Sequence, residues 1–292
     1  MVTQECRICG NTENNRPFLV KEMMFGLKDE FEYLECNECG CLQIKDIPPN
    51  IAHYYPENYY SYQNKGEAHF IRRSPLKTAK RILKKKALRY YLTGSSWIGK
   101  VVASKYSSYY PWLKKELACN DSKILDIGCG AGELLLRMHN DGFTNISGVD
   151  PFINRDINYT CGVTIHKKNL TQLTEQYDLI MMHHAFEHMD APLSVLEDCN
   201  SLLTTGGKLL IRVPVAASYA WRTYGVNWVQ LDAPRHFFLH TQKSMELLSK
   251  QSGFVITHIE YDSYDLQFVG SEKYKQGLAL VDETDIFFSG TT

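Results

Sequence analysis

Side chains of the kinds that hold metals, cofactors and protons fall into three groups along this chain of 292 residues. The first is a matched pair of turns, Cys6-Arg-Ile-Cys9-Gly10 and Cys36-Asn-Glu-Cys39-Gly40. Each turn brings two thiolates to one face of a tetrahedral ion, so Cys6, Cys9, Cys36 and Cys39 are expected to hold a structural Zn2+. Cys41 reads as a packed thiol. The second group is Asp126-Ile-Gly128-Cys-Gly130-Ala-Gly132, followed later by Asp150. Glycines serve where a backbone turns sharply or a ligand approaches it closely, and an acid about twenty residues beyond such a turn is placed to bind a ribose. Asp126 lies inside a strand end, where a carboxylate is costly unless it meets a cation or backbone donors. The third group comprises His183, His184, Glu187 and His188, then Asp232, Arg235, His236 and His240. Histidine can take up a proton near neutral pH. His184-Ala-Phe-Glu187-His188 formally matches a zinc-protease pattern, but that pattern needs both histidines inside one helix, and these follow directly on an apolar strand.

The elements that must position these groups alternate in type. Apolar runs at 123–126, 146–150, 163–166, 177–183 and 207–213 predict strands with helices between them, and 254–261 and 266–270 read as the two final strands. A Rossmann-like α/β sheet of seven strands is expected, binding its ligand outside the carboxyl ends of the strands. Ahead of it lie a zinc-ribbon-like module over 1–47 and an aromatic and basic helical linker over 48–118, leaving 119–292 as the sheet domain. The linker holds the tyrosine-rich stretch from Ile51 to Tyr62 and a basic amphipathic helix from Arg72 to Leu92. Between the fifth strand and a helix beginning near Thr241 runs a long segment, Pro214 to His240, with Trp221 and Trp228. Its length and aromatic content read as a substrate lid whose rings could face a sugar.

From Asp121 to Tyr274 the chain resembles the class I S-adenosylmethionine-dependent methyltransferases. The resemblance implies that Asp126, Gly128, Gly130 and Gly132 wrap the methionine part of the cofactor and that Asp150 holds both ribose hydroxyls. It places Asn169 where an acid usually accepts a hydrogen bond from the adenine amino group, which the Asn169 side-chain oxygen can also do. It sets His183 against the sulfonium region and the pair Glu187-His188 toward the acceptor. The dehydrogenase fingerprint spaces its glycines differently, with the third one residue later. Asp232 to Thr241 is similar to a stretch in surface-glycan methyltransferases. More distantly it resembles deoxysugar C-methyltransferases, which pair an N-terminal zinc module with a histidine base at this point. From these likenesses His236 is expected to be the base, His188 its partner or a substrate anchor, and Glu187 the residue that orients either.

Composition bounds the alternatives. Net charge is −1, yet Lys65 to Lys115 carries fourteen basic residues against the single acid Glu67. Such a stretch suits an anionic membrane, an RNA, a diphosphate-linked substrate or glycan-assembly enzymes, and equally a solvated face. With no signal sequence and no apolar run of the roughly 20 residues that span a bilayer, a cytoplasmic protein is expected, at most peripheral to the inner face of the membrane. There the nine cysteines should be reduced. The expected reaction is O-methylation of a sugar, nucleotide-sugar or lipid-linked glycan in surface polysaccharide or glycoconjugate synthesis. Sugar C-methylation and RNA methylation are the alternatives, the latter opposed by the lack of an Asn/Asp-Pro-Pro-aromatic motif after the fourth strand. A non-catalytic scaffold ranks last.

Overall fold

The structure, a computed structural model, describes residues 5–56, 75–94, 97–103, 112–113 and 121–281. The tyrosine-rich stretch beyond Pro56, together with Arg72 and Arg73, lies outside them. The described residues form two compact units, one drawn from 1–56, 186–196 and 213–292, the other from 57–185 and 197–212. This division does not follow the expected boundaries near 47 and 118, because the chain after residue 213 joins the unit that contains the N-terminus.

The first unit is built on an antiparallel sheet. Strands β1 (Arg16–Lys21) and β2 (Glu30–Glu35) pair along their length, and β3 (Leu42–Ile44) follows β2. The loop after β1 is tied by Glu22, whose buried carboxylate accepts N–H bonds from Phe25 and Leu27.

The second unit carries the α/β part. Helix α1 (Pro75–Thr93) and helix α2 (Trp97–Ala103) precede β4 (Ile124–Ile127), α3 (Glu133–Asp141), β5 (Ile146–Val149), β6 (Ile157–Asn158), β7 (Thr164–His166) and β8 (Tyr177–His183). Helix α4 (Pro192–Leu202) leads into β9 (Leu203–Arg212). The strand order is β6-β7-β5-β4-β8-β9, parallel except for β6. Strands buried on both faces need continuous apolar runs, as Ile124, Leu125, Leu179, Ile180, Met181 and Met182 provide. Strand β4 lies between β5 and β8, so the chain reverses direction across the sheet at β4. A crevice at the carboxyl end of that strand is where such sheets take ligands.

Beyond β9 the chain returns to the first unit through α5 (Tyr219–Tyr224), β10 (Phe238–Leu239), α6 (Gln242–Gln251) and α7 (Leu266–Lys275). Strand β10 pairs with β3, extending the cysteine-bearing sheet to the order β1-β2-β3-β10. Thr241 caps α6 by accepting the Ser244 N–H, and its own hydroxyl donates to the Cys39 carbonyl at 2.6 Å.

Three expectations need correction. The α/β sheet has six strands among the described residues, and neither expected final strand forms. Residues 254–264 pair with no strand among the described residues and leave Val255 and Tyr261 exposed, while 266–270 is the start of α7. A short apolar run does not distinguish strand from helix. Here the burial of Gly270, Ser271 and Tyr274 shows the helical spacing, with Gly270 so close to Val229 that an added Cβ would lie 2.7 Å from it. The segment Pro214 to His240 is not a free lid, since Trp228, Arg235, His236 and His240 are all buried within the first unit. Helix α1 forms as expected, but Ile82 and Leu83 of its apolar set are exposed, and Lys84 is ion-paired with the buried Asp141 of α3.

Candidate active site and cysteine cluster

The glycine turn sits at the carboxyl end of β4. Gly128, Gly130 and Gly132 all have positive φ, between 54° and 78°, which disfavours any side chain. Packing adds to this at the two outer positions. A Cβ on Gly128 would lie 2.5 Å from the Ala185 Cβ, and one on Gly132 would lie 2.5 Å from Ile165. Gly130 instead turns its N–H to Asp150, donating to Oδ2 at 2.9 Å. The Phe152 N–H donates to the other oxygen, also at 2.9 Å. Asp150 is thus fixed by backbone at both oxygens, and each keeps a lone pair for a ribose hydroxyl. Sequence reasoning missed Gly148 in β5, where a Cβ would lie 2.3 Å from the Cys129 sulfur; the close approach of the two βα connections is invisible in the local pattern.

Electrostatics set this turn apart. Burial, and then the neighbouring Asp150 carboxylate, push Asp126 up to about 8. Burial also raises Asp150, against the two backbone donors that lower it. Two buried acids side by side are stabilised by a cationic ligand, and a group bearing an ammonium and a sulfonium satisfies that requirement. The donor set therefore fits S-adenosylmethionine. His183 ends β8, its ring tilted by 59° against Trp112 with centroids 4.4 Å apart, and burial followed by Arg212 lowers it to about 3. Arg212 can only donate, so its contact with His183 Nδ1 at 3.3 Å leaves the ring proton on Nε2, which is buried with no hydrogen-bond partner among the described residues. Asn169 is exposed, and its backbone N–H is taken by the Gln172 side chain.

In the first unit a second cluster forms around a short turn, Phe186–His188. Glu187 is completely buried, with His236 Nε2 3.9 Å from its Oε1. His188 and His236 meet edge to face, with ring centroids 4.8 Å apart. The segment carrying His236 is clamped by Arg235, which is fully buried and ion-paired to Asp232 at 2.5 Å and Glu22 at 2.8 Å. Burial is the largest single influence on Asp232 and would raise it, but the Arg235 charge, the Arg235 hydrogen bond and the neighbouring His236 and His188 together outweigh burial, and the net shift is downward. His236 is lowered, by burial first and His188 second, so it is neutral near pH 7 and able to accept a proton. The structure thus brings His236, His188 and Glu187 together, with no part taken by the His184-to-His188 helix that the protease pattern would need. His240 lies apart, stacked on Phe186 and Phe238 and lowered by burial to about 4. Trp228 is too deeply buried to offer a face to a sugar.

The two cysteine turns are superimposable in their bonding: the Gly10 N–H reaches the Cys6 carbonyl and the Gly40 N–H the Cys36 carbonyl, with both glycines at positive φ. Sulfurs of Cys6 and Cys39 are 3.7 Å apart and those of Cys9 and Cys36 3.5 Å. Four thiolates at about 2.3 Å around a tetrahedral ion stand about 3.8 Å from one another, so this arrangement could hold Zn2+. Cys41 is buried and outside the set.

With this geometry in hand, comparison with known proteins is decisive at the level of family. A family profile described as a methyltransferase domain matches residues 71–259. The chain belongs to that methyltransferase family. It is an S-adenosylmethionine-dependent methyltransferase. The methyltransferase is 28% identical over 167 residues to the ubiquinone biosynthesis O-methyltransferase of Pseudomonas aeruginosa (strain UCBPP-PA14), covering 51% of this chain and 71% of that protein. The same-named protein of Pseudomonas fluorescens (strain SBW25) is 26% identical over equal shares. Among solved structures, the magnesium protoporphyrin IX methyltransferase of Synechocystis PCC 6803 with bound SAH matches 74% of this chain and 93% of its own, at 12% identity and a TM-score of 0.43. The cyclopropane synthase MmaA2 of Mycobacterium tuberculosis matches 59% and 66%, at 17% identity and a TM-score of 0.40. No helix among the described residues is long and apolar enough to cross a membrane.

Proposed function

We propose that this methyltransferase moves a methyl group to a sugar hydroxyl, on a free, nucleotide-linked or lipid-linked glycan of surface polysaccharide or glycoconjugate synthesis. The observation that carries the reading is the neutral, buried His236 held beside Glu187 and His188, a proton acceptor of the kind a hydroxyl acceptor needs. S-adenosylmethionine, when bound, supplies an electrophilic methyl group on a sulfonium. Asp150 holds its ribose and Asp126 offsets its positive charge, with Gly128, Gly130 and Gly132 shaping the turn, Asn169 at the adenine and His183 near the sulfonium. His236 takes the acceptor's proton at Nε2, because its Nδ1–H is committed to the Gln230 carbonyl at 2.7 Å. His188 anchors the acceptor or partners His236, and Glu187 orients the pair.

The similarity of Asp232 to Thr241 to surface-glycan methyltransferases supports a sugar acceptor. A phenolic hydroxyl is the second reading, favoured by the names of the Pseudomonas relatives. Both are O-methylations. Incubating the full chain with labelled S-adenosylmethionine and a panel of nucleotide-sugars, glycans, polyprenylated phenols and total RNA tests them together. Label on a sugar hydroxyl is the expected result.

In the same reading Cys6, Cys9, Cys36 and Cys39 hold a structural Zn2+ that stabilises the first unit. Metal analysis of fresh, reduced protein should find zinc, and Cys36→Ser should lose it along with cooperative unfolding of that unit. The lysines of α1 are proposed to meet an anionic membrane or a diphosphate on the acceptor, with the protein otherwise in the cytoplasm.

A further inference from the structure

The geometry points to a second metal site: we propose that Glu187, His188 and His236 bind one divalent transition-metal cation, distinct from the cysteine cluster. One ligand atom from each residue lies within 4.8 Å of the others. Ligands about 2.1 Å from a shared ion stand about 3–3.5 Å apart, so modest side-chain rotation closes the set around an ion.

The imidazoles are already held as metal ligands are. His188 Nδ1 faces the Arg235 carbonyl at 2.8 Å, and His236 Nδ1 faces the Gln230 carbonyl at 2.7 Å. A carbonyl only accepts, so in both rings the proton sits on Nδ1 and the Nε2 lone pair stays available. A hydrogen bond from the remote nitrogen to a carbonyl is the outer-shell contact that fixes ring orientation and tautomer in metal sites. Both carbonyls belong to the segment that Arg235 clamps to Glu22 and Asp232, so the ligands are carried on a rigid support.

Charge balance points the same way. Glu22, Asp232 and Glu187 supply three carboxylates to this buried neighbourhood, and Arg235 supplies one guanidinium, already paired to the first two. Glu187 is fully buried, and Asp232 Oδ2 lies 3.8 Å from the same His236 nitrogen, so the ligand atoms sit among carboxylates whose charge a divalent cation would offset. Two imidazoles and a carboxylate without thiolate suit Zn2+, Mn2+ or Fe2+ better than Ca2+ or a soft ion.

This inference rests on reading the cluster as the acceptor-side group. A proton and a cation compete for the His236 Nε2 lone pair. With an ion bound, His236 is a ligand, and an acceptor oxygen on the ion loses its proton to solvent more readily.

The test is equilibrium dialysis of the full chain against Zn2+, and separately Co2+, after the cysteine cluster has been filled with zinc. Wild type should bind about one ion more per chain than His188→Gln or His236→Gln, or bind it at least about tenfold more tightly. Circular dichroism and unchanged S-adenosylmethionine affinity certify that the variants are folded; should either histidine variant fail that check, Glu187→Gln is read the same way. Equal Zn2+ and Co2+ binding by wild type and a folded variant overturns the site. Methyl-transfer assays on the same preparations separate this inference from the proposed function. Activity lost in His236→Gln with no difference in bound metal removes the ion and keeps the base. An extra ion in wild type with full activity in the variants keeps the ion and removes the acceptor-side role.

Discussion

The glycine turn and the Glu187–His188–His236 cluster are polar sites of opposite construction. In the first, backbone does the positioning: positive φ values at three glycines and two N–H donors fix Asp150 within a stretch of consecutive strands. In the second, side chains do it, and the partners are 48 residues apart between His188 and His236, joined through a buried Arg235 that also reaches back to Glu22. The first is built to receive a cation between two raised acids; the second keeps a histidine neutral beside a buried acid. A cofactor site of the first kind tolerates little change in backbone, whereas a chemical site of the second kind depends on whether its clamp holds.

The comparison breaks most visibly at the base. His236→Ala should lower the turnover number about 10²–10⁴-fold with cofactor affinity unchanged, the range of a lost general base. A loss confined to the Michaelis constant of the acceptor would make His236 a binding residue instead. Arg235→Met should reproduce part of that loss without touching the acceptor directly, and it should also destabilise the first unit by about 3–5 kcal/mol, since two carboxylates lose their buried partner. Chemical denaturation followed through the tryptophans measures it.

Smaller effects belong to the glycine turn. Asp150→Ala should weaken S-adenosylmethionine binding by about 1.5–3 kcal/mol, the scale of a hydrogen bond to a charged group, as read by calorimetry. Asp126 gives the turn a pH signature. Its pKa stands near 8 in the folded protein against 3.8 ordinarily, so between those values the native state holds a proton that the unfolded chain has lost. Stability of the free protein should therefore fall as pH rises through that window. A bound cation favours the ionised form, so cofactor affinity should rise with pH toward 8 and then level, with proton release detectable in buffers of differing ionisation enthalpy. Asp126→Asn should flatten both dependences. Least of all, Lys85→Glu with Lys86→Glu should weaken binding to anionic vesicles at low salt while leaving cofactor affinity intact. Lys84 is left out because it is paired with Asp141.

What the sequence revealed follows the same division. The turn at Asp126 and the knuckles at Cys6 and Cys36 are local, set by glycines and short spacings, and they stand where the spacing put them. The five early strands were equally legible, since parallel strands buried on both faces must be apolar throughout. Beyond residue 213 legibility fails for two reasons. Phe254 to Tyr261 alternates like a strand, yet joins no sheet among the described residues, and Leu266 to Gly270 is too short to reveal its period before Tyr274 completes it. The aromatic segment around Trp228 looked like a lid because composition does not record where a chain packs. Trp228 packs against Trp221, and Trp221 against Phe18 of β1 far earlier in the chain, a contact that no local pattern announces.

The central claim, methyl transfer to a sugar hydroxyl, is tested most directly by identifying the product. Labelled S-adenosylmethionine, full-length protein and the acceptor panel should yield a sugar carrying a methyl ether, located by mass spectrometry and NMR, and its formation should collapse in His236→Ala. Label found on a phenol, a sugar carbon or an RNA base, with none on any sugar hydroxyl, would contradict it.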